Sequence, residues 1–495
     1  MPQFALSPHE STPSRSCLFP LVHSKPLPHP DVYELFSRVA SPAQPSFLLE
    51  SGKGSAVIAR YSFFGTAPYL VFSGKNDGYE IRTQESVVQK SGDPFSALIA
   101  LLKPSLITRP PNLPPFLGGA VGFFSYDLIR RFEHLPEVAK DDLQLPDLKF
   151  LFVDLLAAVD HDTHTLHLIF TPPPERLLTE SHDNLYREGE ERLAEFEDLL
   201  SRPRKHRNGT DFSISPSAIQ ADQSRSDYMQ RVLECQSFIG AGDIYQANLS
   251  HRFTIQVNDH NEGTLQESAH LLYQRLRKVN PSPFSALLDL GEVALVSSSP
   301  ERLVCLQGSR AETRPIAGTR PRGRTPSEDQ DLVGSLLTSR KERAEHLMLV
   351  DLARNDLGRV CRYGTVKVDE FMAVEQYSHV AHLVSNVSGF LREPLKGNDL
   401  IQAIFPGGSI TGVPKIRCME IIEHLEPVRR GPYTGSIGYL SWTGDIDLNI
   451  VIRTLLLTLQ YGYLQVGAGI VADSDPGREF EETMYKAQAL FQALQ

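Results

Sequence analysis

The sequence contains no CxxC pair, and its five cysteines, Cys17, Cys235, Cys305, Cys361 and Cys418, are odd in number and widely spaced. That pattern argues against a disulfide framework and a cysteine zinc site, and fits a reducing compartment. No run of 18 apolar residues occurs, so no membrane-crossing helix is expected. The first sixteen residues, MPQFALSPHESTPSRS, lack the basic start and apolar stretch of a secretory signal. A cytoplasmic protein with no membrane partner is the expectation. Basic residues are also in short supply: 49 Lys and Arg stand against 60 Asp and Glu, a net charge of −11. An acidic chain is a poor partner for nucleic acid, which is therefore not expected. Missing too are the GxxxxGK[ST] phosphate loop, the GxSxG nucleophile elbow, the HExxH zinc helix and a GxGxxG turn after a strand.

What is present is an ordinary globular composition, 41% hydrophobic and 22% charged over 495 residues. Length alone suggests about three domains. Composition suggests instead an N-terminal region over 15–200, a linker over 201–225 with few large apolar residues, and a larger unit over 226–495. Leu185, Leu193, Phe196, Leu199 and Leu200 fall near helical spacing just before the linker. The stretches FLLES, YSFFG, FLGGAVGFFSYD and FLFVDLLAAVDHDTHTLHLIF read as strands and turns, with DHDTH as a hairpin. Strand signals in the second half (ALVSSS, TGSIGYLSW, DLNIVIRTLLLTLQ, YLQVGAGIVA) alternate with helical patterns at 226–240, 327–356 and 478–494. No fixed period of 20–50 residues occurs, so repeats are not expected. The fold class is α+β with antiparallel strands.

Two helical segments each carry a pair of glutamates three residues apart, Glu342 with Glu345 and Glu479 with Glu482, and each pair projects from one helix face. In the last helix Phe480, Met484, Ala487, Phe491 and Leu494 form the expected core stripe. Glu479, Glu482 and Lys486 gather within about 60° of one another on a different face. Solvated helix faces with Lys341–Glu345 and Glu482–Lys486 pairs account for this spacing. So does a Mg²⁺ site, because hard cations choose oxygen ligands. Two ionised carboxylates about 5.5 Å apart at an effective dielectric of 20 repel by roughly 3 kcal/mol, so four in one pocket need a cation or raised pKa values.

Glycine-rich turns supply a second element. FPGGSITGVPK sets Gly407, Gly408, Ser409, Thr411 and Gly412 just before Pro414, a helix N-terminus signal whose backbone N–H groups suit an anion, or simply a tight turn. In VGAGIVADSDP, Gly467 and Gly469 leave room for close backbone approach. Arg453, within the apolar run NIVIRTLLLTL, must be paired if buried, either by a protein carboxylate or by a ligand's. Tyr433 and His382 complete the polar inventory, and a lone histidine such as His382 is more often a satisfied core residue than a catalyst.

The runs SSSPER (297–302), TRPIAGTRPRG (313–323), KERAEHLMLVDLARNDLGRV (341–360), HVAHLVSNVSG (379–389), FPGGSITGVPK (405–415), RRGPYTGSIGYLS (429–441) and GAGIVADSDP (467–476), in this order, resemble the chorismate-utilising enzyme family. LLES (48–51) and GGAVGFFSYDLIRRFE (118–133) extend the resemblance to the N-terminal region of component I of anthranilate and aminodeoxychorismate synthases. Within the family, GDIYQANLSHRF with Asn248, and RRFEHLPEV, resemble the aminodeoxychorismate synthase branch. YSHVAH (377–382), and Ala317 where many aminodeoxychorismate synthases carry a lysine implicated in covalent attack on the ring, are also at home in the anthranilate synthase branch. The resemblance implies a large antiparallel β-sheet sandwich with flanking helices. It implies Mg²⁺ on Glu345 and Glu482, with Glu342 and Glu479 supporting through water, and Glu301 as general acid with His382 as a polar active-site residue. Chorismate would be held by Gly318, Thr319, Ser409, Tyr433, Arg453, Gly469 and Lys486. Leu49, Glu50 and Ser51 would belong to an effector pocket. Ammonia would come from a separate glutamine amidotransferase subunit, since no cysteine here sits in a glutaminase context, and no fused lyase is expected after residue 495. A non-catalytic chorismate-binding regulatory subunit is the alternative of another class, disfavoured by the presence of Glu301 and all four helix glutamates.

Overall fold

The structure is a computed structural model that describes residues 19–51, 59–102, 107–203, 218–257, 264–376 and 380–495. Among these residues the strands form two 12-stranded sheets, each a path of eleven strands with one more paired off it, Gly412–Val413 on Gln246–Gln256 in the first and Lys367–Gln376 on Val380–Phe390 in the second. Every pairing between named strands is antiparallel. The first sheet runs Leu21–Pro26, Thr165–Phe170, Leu155–Asp160, Tyr61–Thr66, Ser46–Glu50, Phe284–Asp289, Ala294–Ser299, Thr454–Leu457, Tyr461–Ile470, Gln246–Gln256, Ile219–Ala221. The second runs Ile316–Pro321, Val380–Phe390, Arg310–Thr313, Arg302–Gln307, Ile446–Ile450, Ser436–Ser441, Gly119–Phe124, Leu148–Val153, Leu70–Lys75, Gly78–Arg82, Val87–Ser91. Strands from both halves of the chain interleave in each sheet: Ser46–Glu50 pairs with Phe284–Asp289, and Gly119–Phe124 with Ser436–Ser441.

Phe47, Phe63, Ala286 and Leu295 of the first sheet meet Val121, Phe123, Leu151 and Tyr439 of the second in one buried cluster, the filling of a sandwich. The outer faces are covered as well. Helices Val32–Val39, His182–Ser201, Leu265–Val279 and Pro476–Leu494 pack on the first sheet, and Pro94–Leu102, Arg340–Gly358 and Gly397–Ile404 on the second. Central strands such as Leu148–Val153 are therefore buried on both faces, which is why FLFV (150–153) reads as a continuous apolar run instead of alternating, while the buried Lys149 before it pairs with Glu292. Each such side chain contributes about 1.5–3 kcal/mol by leaving water. The architecture is the α+β sandwich with flanking helices that the sequence implied.

Local expectations met the structure unevenly. The DHDTH hairpin forms, with Thr165 opposite Asp160. The pattern at 327–356 is two helices, Pro326–Thr338 and Arg340–Gly358, because Ser339 is extended and its side chain accepts from the Glu342 N–H to cap the second. On the last helix the buried stripe is Thr483, Ala487, Leu490 and Leu494, flanked by partly buried Met484 and Phe491. Residues 204–217 of the 201–225 segment lie outside the described residues, and Ile219–Ala221 adds a short edge strand. Among the described residues no helix is long and apolar enough to cross a membrane.

Arg453 does not sit within a strand. It follows Ile446–Ile450 of the second sheet and precedes Thr454–Leu457 of the first, with φ at +50°. The chain changes sheets there, and the bend takes a left-handed residue.

Candidate active site

The chain also changes sheets between Ala294–Ser299 and Arg302–Gln307, and Glu301 lies on that crossing. The two crossings bond to each other: the Ile450 N–H donates to the Glu301 carbonyl at 3.0 Å and the Ser298 N–H to the Arg453 carbonyl at 3.1 Å. Two residues 152 positions apart are thus fixed side by side by backbone alone.

Glu301 is 7% exposed and accepts a 2.8 Å hydrogen bond from Ser409 Oγ. Ser409 stands on the Gly408–Ile410 turn, which leads to Pro414 as N-cap of Lys415–Leu425. Burial pushes the Glu301 carboxyl up to about 7, against the opposing pull of the Ser409 hydroxyl, the Ile316 backbone and the charges of Arg453 and Lys486. It is poised to hold or release a proton near neutrality.

Among the described residues no carboxylate pairs with the Arg453 guanidinium, whose pKa burial lowers. A desolvated cation in that position favours an anionic ligand. His382, on Val380–Phe390, is 3% exposed and held down to about 4 by burial, with Arg453 adding to the effect and a Gly318 backbone hydrogen bond opposing it, so it is neutral at pH 7. Gly318 lies at a bulge of Ile316–Pro321 with φ at +66°, where a Cβ would come within 2.9 Å of Glu342 Oε2. The Thr319 side chain lies outside the described residues.

The structure brings the glutamates of the two helices together. Burial raises the Glu345 carboxyl, and the Glu342 and Glu482 charges raise it further. Glu479 is raised by burial and by Glu482. Arg320 reaches Glu342 at 3.1 Å, Lys486 reaches Glu482 at 2.9 Å, Ser474 Oγ donates to Glu479, and Gln246 Nε2 donates to Glu345 Oε1 at 3.2 Å. Among the described residues no three His, Cys, Asp or Glu side chains converge as a ready-made metal cage. The donor set nonetheless suits Mg²⁺, which takes carboxylate oxygens while keeping several waters.

Lys486 Nζ also donates to the Gly467 carbonyl at 2.9 Å. At Gly467 a Cβ would lie 2.6 Å from Asn248 Oδ1, 2.7 Å from the Leu249 carbonyl and 2.9 Å from the Tyr433 hydroxyl, and at Gly469 it would lie 2.5 Å from Gln246 Nε2. The missing side chains make room for protein polar groups. Because the Leu249 carbonyl is backbone and cannot swing aside, Gly467→Ala is expected to lower kcat/KM at least tenfold with a reduced melting temperature. Steady-state kinetics beside a thermal melt checks this.

Leu49, Glu50 and Ser51 lie elsewhere, lining a cavity of about 270 Å³ between the sheets with Arg60, Tyr61, Phe284 and Tyr439. Glu50 accepts from the Tyr273 hydroxyl at 2.7 Å and pairs with Arg277, and Ser51 Oγ donates to the Tyr61 carbonyl at 2.6 Å. Arg302, next to Glu301, lines this cavity and also the small one containing Ser409.

Sequence reasoning overlooked Gln246, and used Asn248 only as a mark of resemblance. Both are buried on one face of Gln246–Gln256, and among the described residues Gln246 Oε1 and Asn248 Oδ1 have no hydrogen-bond partner. Their alternation, polar at 246 and 248 around Ala247, was the available signal.

Comparison with known proteins agrees with this geometry. The chain matches the chorismate binding enzyme family over residues 44–492. It is 42% identical over 461 residues to aminodeoxychorismate synthase component 1 of Bacillus subtilis (strain 168), covering 93% of this chain and 94% of that one. It is 43% identical over 460 residues to anthranilate synthase component 1 of Thermus thermophilus, with the same coverage. Among solved structures, anthranilate synthase component I from Streptococcus pneumoniae TIGR4 has a TM-score of 0.75 at 33% identity, over 88% of this chain and 92% of that one. The menaquinone-specific isochorismate synthase of Escherichia coli, 19% identical, shares the fold with a TM-score of 0.68 over 96% and 95%. This chain belongs to the chorismate binding enzyme family, as a member of the anthranilate and aminodeoxychorismate synthase component I type.

Proposed function

We propose that this chain is aminodeoxychorismate synthase component I, which converts chorismate and ammonia to 4-amino-4-deoxychorismate and water. The observation that carries the reading is the buried Arg453 guanidinium, which forms no ion pair among the described residues, near the Ser409-bonded carboxyl of Glu301, which burial pushes up to about 7. Chorismate is a dianion whose ring hydroxyl leaves badly as hydroxide. A fixed cation holds one carboxylate, and a protonated Glu301 delivers a proton to the departing oxygen. Lys486 and the Tyr433 hydroxyl flank the same pocket. The unpartnered Asn248 Oδ1 and Gln246 Oε1 are acceptors suited to the N–H groups of ammonia. Glu345 and Glu482, supported by Glu342 and Glu479, would hold Mg²⁺, which supplies countercharge for a substrate carboxylate.

The ammonia source is a separate glutamine amidotransferase subunit. Cys235, Cys305, Cys361 and Cys418 are all buried, and burial pushes the Cys235 thiol up to about 12 and that of Cys361 to about 11, away from nucleophilic thiolate. Cys17 lies outside the described residues. By the same reading the cavity at Leu49–Ser51 serves an effector.

Anthranilate synthase component I is the second reading, favoured by Ala317, 7% exposed on Ile316–Pro321, where a lysine nucleophile would otherwise stand. One assay separates them. Purified protein with chorismate, Mg²⁺ and ammonium is expected to yield 4-aminobenzoate only when an aminodeoxychorismate lyase is added. Anthranilate fluorescence without lyase, and no 4-aminobenzoate with it, would establish the second reading instead.

A further inference from the structure

Arg430 and Glu426 form a buried ion pair, 1% and 4% exposed, behind the site. All five guanidinium N–H groups are engaged. Nε donates to Glu426 Oε2 at 2.9 Å, Nη2 to Glu426 Oε1 at 2.7 Å and to the Asn248 carbonyl at 2.6 Å, and Nη1 to the Ile410 carbonyl at 2.9 Å and Thr434 Oγ1 at 3.2 Å. Its plane lies 4.9 Å from the Tyr126 ring centroid and 5.7 Å from that of Tyr433. Glu426 Oε1 also accepts from the backbone N–H and the hydroxyl of Ser250, at 2.8 and 2.7 Å, so it grips the strand that carries Asn248.

Three of these hydrogen bonds end on, or one residue from, a residue that lines the pocket. The Ile410 carbonyl adjoins Ser409, the Asn248 carbonyl belongs to the residue with the unpartnered Oδ1, and Thr434, a non-glycine at φ +59°, adjoins Tyr433. A buried salt bridge is weak evidence for stability, because desolvation offsets the attraction. Three directed donors reaching three separate segments, with the other two held by Glu426, point to placement instead.

We propose that Arg430, clamped by Glu426, is a positioning residue that fixes the mutual placement of the Ser409 turn, the Asn248 strand and the Tyr433 turn. The inference rests on the functional reading above for its kinetic consequence, though not for its structural one. Lysine carries the charge but only three donors on a single nitrogen, and cannot span the three segments.

The test compares Arg430→Lys and the double variant Arg430→Met/Glu426→Gln, which leaves no unpaired charge buried, with the wild type. Both are expected to melt cooperatively while amide exchange quickens in peptides spanning 405–413, 246–250 and 430–436. With chorismate and ammonium, kcat per binding-competent site should fall about 100-fold, the cost of a misplacement near 1 Å. The alkaline limb of the kcat profile should also move to higher pH. Glu301 is faced by Ser409, the Ile316 backbone, Arg453 and Lys486, and a displaced Ser409 no longer holds its pKa down. A smaller folded fraction alone would leave that limb in place. Unchanged exchange in the three peptides overturns the proposal, as does a folded variant with kcat within threefold of wild type and an unmoved limb. If the wild type itself does not turn over chorismate, the functional reading fails, and the exchange comparison alone decides the positioning role.

Discussion

Glu301→Gln is expected to lower kcat for chorismate about 10³-fold, within the range general acids contribute, without unfolding the protein. The wild-type profile should hold its rate below the Glu301 pKa and lose it as pH rises through about 7, since the proton is the reagent. In the variant that limb disappears. Ser409→Ala should shift it upward, because the Ser409 hydrogen bond lowers the pKa that burial raises. Stability gives an internal check. A carboxyl raised in the folded state to about 7 from an unfolded value near 4.5 contributes stability fully present below about 4.5 and lost as pH rises through about 7. The amide carries no such loss, so above pH 7 the variant should melt no lower than the wild type. With free ammonia held constant across the profile, rates that rise through pH 7 in the wild type would mean that Glu301 acts ionised, as a base, and would remove the assigned role.

The groups brought together here were legible in the sequence to different degrees, and the differences are physical. The ExxE pairs of Glu342 with Glu345 and Glu479 with Glu482 could be read because a helix presents residues three apart on one face. Apolar runs such as FLFVDLLAAV announced strands, while the sandwich covered by helices came only from the family resemblance. Partnership between distant segments could not be read. Ser409 meets Glu301 across 108 positions and Gln246 meets Glu345 across 99. Periodicity reports which face of an element is buried, not which element lies beside it. Arg453 was misread as a strand residue for a related reason: apolar residues continue on both sides of it, and nothing in their spacing marks that Ile446–Ile450 and Thr454–Leu457 belong to different sheets. Arg430 looked like one charge in a turn, and its five acceptors come from segments scattered between residues 248 and 434.

MgCl₂ is expected to raise the melting temperature of the wild type, and Glu345→Gln and Glu482→Gln are each expected to abolish that rise together with Mg²⁺-dependent turnover. A ligand present at 100 times its Kd stabilises the folded state by about 2.7 kcal/mol, so the wild-type response is measurable without substrate. The apo proteins should behave in the opposite sense. Glu345 is half-buried near Glu342 and the exposed Glu482, and its carboxyl is raised by desolvation first and by their charges next. Like charges that close disfavour the ionised form of Glu345 even after solvent screening. Glutamine removes that repulsion, and its side-chain carbonyl can still accept from Gln246 Nε2. In Mg²⁺-free buffer Glu345→Gln should therefore melt at or above the wild type, and fall below it only when Mg²⁺ is added. A site in which these glutamates merely face solvent predicts neither response, since exposed i,i+4 partners such as Glu482 and Lys486 contribute a few tenths of a kcal/mol whether or not a cation is present. An unchanged Mg²⁺ response in both variants would return the four glutamates to that reading. Loss of the response in both ties the acidity of the two helices to a cation, and explains how a chain of net charge −11 accommodates a dianion.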